Sequence, residues 1–512
     1  MSTASPPVAR PGLTLFAVCA AVLVLPASLT GTSVALPSIG ADLHATLAPT
    51  QWVVNSYNLT FATFMLATGA LADAIGRKRL FGFGVLVFAL TSLASVFAGD
   101  IYLLDVLRGL SGVGAAAVLT AGSAMIADVH QGPALTRAFG VFGTAAGAGL
   151  ALGPSTSGLL VGAFGWRAVF GSHLVIMLVV LALVPLLRES RNPGASTVDW
   201  LGTVTFTGGL FAFTLAVVEG PLRGWVDVLV LVLLLAAIVL LRVFVGVERR
   251  QAQPMFDLSL FRQPRFVALC LLPVVAAFGF VSLAVLLPQY FIGVDGVSSS
   301  AAGLRMLLLT LPVLVVPMVG AWLAAKALGT RTVLVLSLLC MAAGTAWLAA
   351  VLGPGVGVGD LAVPLLLVGS GMGLNAGIID GVAISSVEPE RAGMAAGMFN
   401  TMRLSGEAVA IAVMGALLVT FTQARLRGGP VDATSDLAGQ VVQGDVAGAA
   451  TQVAATDRGG FTAFLADGYT GAFQTALWLI AGICLVGSVV LAVLLPGRQP
   501  EPVAPEPVGE PA

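Results

Sequence analysis

The chain has 512 residues, 58% of them hydrophobic and only 10% charged, with a mean hydropathy of +1.00. A soluble domain carries about 25% charged residues, and no water-soluble core of this length could hide so much apolar surface. The net charge of −1 excludes the basic footprint of a nucleic-acid-binding protein.

The apolar residues fall in blocks of roughly 20, the length a helix needs to cross a bilayer. The N-terminal stretch Met1–Pro11 holds one charge, Arg10, and the first block runs on to about Leu36, too long for a signal-peptide core. In chain order the spacing predicts fourteen spans, at 13–36, 52–72, 80–99, 102–126, 138–163, 168–187, 200–218, 226–246, 266–291, 301–324, 331–352, 361–386, 394–420 and 471–495. Pro26, Pro154, Pro312 and Pro317 lie inside spans, as packed membrane helices allow. The 62 glycines suit close helix contacts. The chain therefore reads as an all-α membrane protein.

Orientation follows from Lys and Arg. With the N-terminus inside, 16 basic residues fall in cytoplasmic segments and 6 in outer ones, while Arg108 and Arg403 lie within spans. Both termini are then cytoplasmic. The long segment 422–470, rich in Asp, Gly and Ala, reads as a partly ordered external loop, and the Pro- and Glu-rich tail 497–512 as disordered.

A weak internal repeat links Leu71-Ala-Asp-Ala-Ile-Gly76-Arg77, after the second span, with Ala324-Ala-Lys-Ala-Leu-Gly329-Thr-Arg331, after the tenth. Arg137-Ala-Phe-Gly140 echoes in Arg391-Ala-Gly393. Such repeats predict a duplicated bundle. Residues 1–190 would form the first six-helix bundle, 191–262 a linker with two inserted helices, and 263–496 the second bundle.

Three stretches carry mechanism. Gly69-Ala-Leu-Ala-Asp73-Ala-Ile-Gly76-Arg77-Lys78-Arg79 joins spans two and three. Gly76 permits a tight turn, and Asp73 could pair with basic groups or a helix N-terminus; the bland reading is a loop that only sets topology. Gly149-Leu-Ala-Leu-Gly153-Pro154-Ser-Thr-Ser157-Gly158 lies in span five. Its glycines let helices approach and Pro154 removes a backbone bond; generic packing is the alternative. Arg108-Gly-Leu-Ser111-Gly112-Val-Gly114 places a costly cation in span four. Asp105, one turn away, is either its partner or an interfacial residue.

These stretches resemble, in turn, the loop signature of the major facilitator superfamily, the glycine-proline signature of its proton-driven exporters, and its intramembrane arginine motif. Trp52 with Tyr57, Gly165-Trp166-Arg167, Asp199-Trp-Leu-Gly202, Glu219-Gly220, Gly224-Trp225, Glu248-Arg-Arg250 and Asn400-Thr401 extend the likeness along nearly the whole chain. Together with fourteen spans they look like the fourteen-span drug:proton antiporter branch. The resemblance implies a facilitator fold of two six-helix bundles plus two inserted helices. It implies proton-coupled efflux of small amphipathic or cationic compounds by alternating access, with Gly69, Asp73, Gly76 and Arg77 as a cytoplasmic gate. Gly149, Gly153, Pro154 and Gly158 would be a helix pivot. No cofactor, metal or enzymatic signature is expected: the four cysteines are dispersed, the three histidines show no metal spacing, and there is no P-loop or nucleophile elbow. The expected partners are a small-molecule substrate, protons and the bilayer, with no nucleic acid and a monomeric state. The alternatives are a dedicated exporter of one natural product or metabolite, and a membrane sensor or scaffold.

Two departures bear on coupling. That branch often carries an aspartate where the match to Ala35-Leu36-Pro37 puts Ser28, and a glycine where Ser157 stands. A serine cannot carry a proton, so either coupling moves to Glu407, Arg403 and Asp380, with Arg108 and Asp105 as further ionisable groups within spans, or the chain does not take protons as those relatives do. Arg403 and Glu407 are spaced i, i+4, on one helix face. On a cysteine-free background, single-cysteine labelling in intact cells is expected to reach position 445 from outside and not position 253; labelling of 253 would overturn the fourteen-span, N-inside topology.

Overall fold

A chain with this much apolar surface can satisfy its backbone in lipid only inside helices. In a computed structural model every regular element among the described residues is helical. The structure describes residues 11–45, 47–130, 132–190, 199–251, 260–376, 378–379, 382, 392–454 and 456–495. The first bundle comprises α1 (Pro11–Asp42), α2 (Leu47–Ile75), α3 (Arg77–Val96), α4 (Ile101–Val129), α5 (Gly132–Phe164) and α6 (Arg167–Leu183). The inserted pair is α7 (Trp200–Arg223) and α8 (Val228–Glu248). The second bundle contains α9 (Pro264–Ala276), α10 (Ser282–Gly293), α11 (Ser299–Arg305), α12 (Leu307–Lys326), α13 (Thr330–Val351) and α14 (Val358–Ala376). It ends with α15 (Ala392–Leu426), the short α16 (Ser435–Val442) and α17 (Val446–Ala449), and α18 (Arg458–Leu494).

Thirteen of the described helical rods are long and apolar enough to cross a membrane. The predicted second span is α2, which is also long enough to cross. α2 has 29 residues but carries Gln51, Asn55, Asn58, Thr60, Thr63 and Thr68. Its threonines answer their own polarity by donating to carbonyls one turn back, as Thr63 does to Leu59 at 2.7 Å and Thr68 to Phe64 at 2.9 Å. The ninth and tenth spans are each one rod with a break. A π turn at Ala277–Val281 separates α9 from α10, and Met306 separates α11 from α12. The last two spans overrun their predicted ends into the 422–470 loop, because Phe461, Leu465 and Tyr469 of α18 bury against its short helices. The predicted tail 497–512 lies outside the described residues.

The repeat is visible in the packing. In the first bundle α1 packs on α5 and α6, α2 on α4, and α3 on α4 and α6. The matching partners recur in the second: α9 with α15 and α18, α12 with α14, and α13 with α14 and α18. The two echoed glycines occupy the same place. Gly76 has φ 110 and ψ 135 just before α3, and Gly329 has φ 77 and ψ 156 just before α13. Both are left-handed conformations that a side chain would strain.

α7 wedges between α2 and α15. Thr207 donates to the Thr63 carbonyl at 2.9 Å, and Leu210 packs with Ala62 and Ala408. α8 lies outside it with Leu231, Val232, Leu235, Ile238 and Val239 exposed, an apolar face suited to lipid. Two ends of the bundles can be distinguished: a basic face at Gly76–Arg79 and a loop face that bears α16 and α17.

Candidate functional site

Arg108 on α4 is 2% exposed. Its Nε donates to the Val53 carbonyl at 2.9 Å, Nη1 to Ser28 Oγ at 2.7 Å and Nη2 to the Ser28 carbonyl at 3.3 Å. The guanidinium lies 4.3 Å from the Tyr57 ring centroid and 5.8 Å from that of Phe170. Tyr57 is held in turn by its hydroxyl, which donates to the Leu25 carbonyl at 2.9 Å. Placing an arginine in a membrane costs about 2.5–3.5 kcal/mol on insertion scales. Three charge-assisted hydrogen bonds, each about 1.5–3 kcal/mol, and a desolvated cation–π contact offset it. Gly112 makes the seat possible: a Cβ there would collide with the Thr60 hydroxyl and the Tyr57 carbonyl, so α2 and α4 could not close around the cation.

Asp105 makes no ion pair with Arg108 among the described residues. It is half-buried, and one of its carboxylate oxygens has no hydrogen-bond partner. The arginine turns instead to Ser28, the residue at the position where the resemblance leads one to expect an aspartate. His173 closes the far side of this seat, packed on Phe88 and Phe170 with ring centroids 6.4 Å away in each case. No metal or catalytic spacing pointed to it.

The glycine-proline segment of α5 is glycine-lined on two sides. Toward α1, a Cβ at Gly149 would strike the Leu23 carbonyl, and one at Gly153 would come within 3.0 Å of Ala27 Cα. Pro154 cannot donate to the Leu150 carbonyl, and Thr30 Oγ1 of α1 donates to it at 3.3 Å. The Ser157 departure has its own answer: a Cβ at Gly31 would collide with Ser157 Oγ, so the missing glycine has moved to the facing helix. Toward the second bundle, Ser155 Oγ donates to the Gly303 carbonyl at 2.7 Å and Ser300 Oγ to the Gly158 carbonyl at 2.9 Å. A Cβ at Gly303 would lie 2.7 Å from the Pro154 carbonyl. The two bundles thus meet backbone to backbone near the loop face.

At the basic face, residues 76–79 fasten the first bundle to itself. The Arg77 amide donates to the Ser190 carbonyl at 3.0 Å, and the Lys78 amide to Glu189 Oε1 at 3.1 Å. Arg77 lies 3.8 Å from Asp128, and Arg79 lies 3.6 Å from Glu189. A Cβ at Gly69 would meet nothing within 4 Å, so room alone does not require glycine there. The side chain of Asp73, and Asp380 entirely, lie outside the described residues. Arg403 and Glu407 share one face of α15, both half-buried.

One turn further along that face, Ile411 and then Gly415 border a cavity between the bundles. α1, α2, α7, α10, α15 and the end of α16 contribute to its wall. Gln51, Asn55, Gln289 and Gln443 line it, and sequence reasoning passed over all four. The available signal was a glutamine inside an apolar block, as at Leu286-Leu-Pro-Gln289-Tyr290.

The profile of the Major Facilitator Superfamily matches residues 18–411. The multidrug resistance protein Stp of Mycobacterium tuberculosis (strain H37Rv) is 34% identical over 397 residues, covering 77% of this chain and 73% of that one. The puromycin resistance protein pur8 of Streptomyces alboniger is 31% identical over 496 residues, covering 94% and 91%. Among solved structures the POT family transporter PepTSo superposes with a TM-score of 0.61 at 16% identity, covering 94% of this chain and 97% of that chain, a likeness of fold.

Two outcomes follow from the geometry. Ser28→Ala is expected to remove one hydrogen bond from a buried cation, costing about 1.5–3 kcal/mol; thermal unfolding of the purified protein in nanodiscs reads it as a lowered midpoint, and an unchanged midpoint would show that Ser28 does not hold Arg108. Gly149→Leu is expected to force α5 off α1 and abolish export with membrane insertion retained; wild-type export would remove the case for a tight seam.

Proposed function

This chain belongs to the Major Facilitator Superfamily, and we propose that it exports small amphipathic compounds from the cell by alternating access, driven by inward proton flow. The observation that carries the reading is the cavity between two repeated bundles, which also meet backbone to backbone where Gly158 packs on Gly303. Rocking the bundles about such a seam would open the cavity to either side in turn. The relatives named for multidrug resistance and for puromycin resistance support export of toxic compounds, whether broad or dedicated to one product. One chain holds both bundles and the whole cavity, so a monomer suffices.

In this reading both termini are cytoplasmic and the loop face is outside. The Gly69–Arg79 stretch is a cytoplasmic latch whose Asp73 holds the inward side shut until the bundles rock. Glu407 is the proton carrier. It lies one turn, about 6 Å of rise, below the cavity residue Ile411, and Arg403 lies one turn deeper. Protonation of Glu407 would free Arg403 to turn toward Asp380. A membrane potential of about 100 mV supplies roughly 2.3 kcal/mol per charge moved fully across, enough in part to bias a two-state pair. Glu407→Gln is expected to bind substrate, lose uphill export and lose the dependence of transport on the pH gradient, while Asp380→Asn has a smaller effect. Both are read in proteoliposomes with an imposed gradient, and wild-type pH dependence in Glu407→Gln would make the charge pair structural.

A further inference from the structure

The chamber between the bundles has an unusual chemistry. None of its lining residues carries a charge, yet four carboxamides converge on it. Gln51 and Asn55 stand one turn apart on α2, Gln289 comes from α10, and Gln443 from the end of α16. Gln289 is 4% exposed. The side-chain amides of Gln51, Asn55 and Gln289 make no hydrogen bond to the described protein. A carboxamide carries both donors and an acceptor, so these groups present them to whatever enters.

Gln443 belongs to the loop segment between α15 and α18, which forms the roof. Thr434 caps α16 by accepting from the Leu437 amide at 3.1 Å, and Leu437, Val441 and Val442 bury beneath it. The Tyr469 hydroxyl of α18 donates to the Val442 carbonyl at 3.0 Å. Gly444, with φ +87, turns the chain directly over α10: a Cβ there would lie 2.7 Å from the Gln289 carbonyl, and one at Gly293 would lie 2.6 Å from Gly444 Cα. The roof is built to set Gln443 beside Gln289.

We infer that this roofed chamber is the recognition site for uncharged, hydrogen-bonding amphiphiles, and that Gln289 and the loop residue Gln443 determine specificity. The inference rests on the export reading and narrows it. A cation entering would exchange water for a wall without a counter-charge, because the nearest carboxylate on that face, Glu407, lies a turn below the lining. A carboxamide offers both N–H donors and a C=O acceptor, which suits carbonyl and hydroxyl groups on an apolar ring system. A site built on such bonds rejects analogues that cannot make them.

The test uses two dyes on one ring scaffold, uncharged Nile red, which carries a ring carbonyl, and cationic Nile blue. Energy-dependent efflux is followed in preloaded cells expressing the full chain, with expression matched by immunoblot. The wild type is expected to export Nile red in preference to Nile blue. Gln289→Leu and Gln443→Leu should each slow Nile red efflux about five-fold, the loss of one ordinary hydrogen bond. Gln443→Glu, which places a carboxylate in the roof, should shift the preference toward Nile blue. Efflux that favours Nile blue and keeps its ratio in all three variants would overturn the chamber assignment alone. Absence of energy-dependent efflux of both dyes from the wild type would overturn the export reading and this inference with it.

Discussion

Helix α5 is the member on which the rest depends. It must lie against α1 within its own bundle and against α11 across the interface, and both contacts are backbone to backbone. Lipid gives helices no hydrophobic reason to associate, so close approach and interhelical hydrogen bonds must hold them. Gly149 and Gly153 serve one side, and Gly158 with Gly303 the other. The hydroxyls of Thr30, Ser155 and Ser300 then bond carbonyls of the facing helix, including the Leu150 carbonyl that Pro154 leaves unanswered. A smooth, proline-interrupted helix is weak in isolation. Here its defect is the acceptor that ties α1 to it.

Arg108 shows how a bundle can keep a charge without a counter-charge. Five donors in a planar fork are shared among two carbonyls, one hydroxyl and two aromatic faces. This holds α4 to α1 and α2 by bonds that do not titrate. A carboxylate at position 28 would make the same connection conditional on protonation; a serine makes it permanent. The tie of α4 to α1 and α2 at this point is therefore not one that a proton on residue 28 could switch. That is the physical reason to look to α15.

Much of this was legible in the residues. Apolar blocks marked the rods, and the repeated Gly76 and Gly329 marked equivalent turns, since each needs a left-handed conformation at the same junction. The close-packing glycines of α5 were legible because a membrane helix has few other reasons for glycines at such spacing. What could not be read was partnership. Ser28 looked like a lost function until Arg108 was seen to bond it, and Ser157 looked like a defect until Gly31 was found opposite. Both are compensations between helices far apart in the chain, with no local trace. The amides were missed for a different reason: a neutral glutamine costs less in a membrane than an ion, so it does not stand out.

The face of α15 ties these regions together. Arg403, Glu407, Ile411 and Gly415 follow at intervals of four, so one stripe runs from a cation, through a carboxylate, to the wall of the chamber. α7 presses on the neighbouring face at Ala408, Ala412 and Ala416, small residues that let the inserted helix lie close. A rotation or slide of α15 would therefore change three things at once: the surroundings of Glu407, the shape of the chamber beside Ile411, and the contact with the inserted pair. Because interfaces of this kind are packed rather than elastic, such a helix has discrete positions. In the proposed mechanism, charge state and chamber shape would be coupled through this one element, with no need for the charged pair and the ligand to touch.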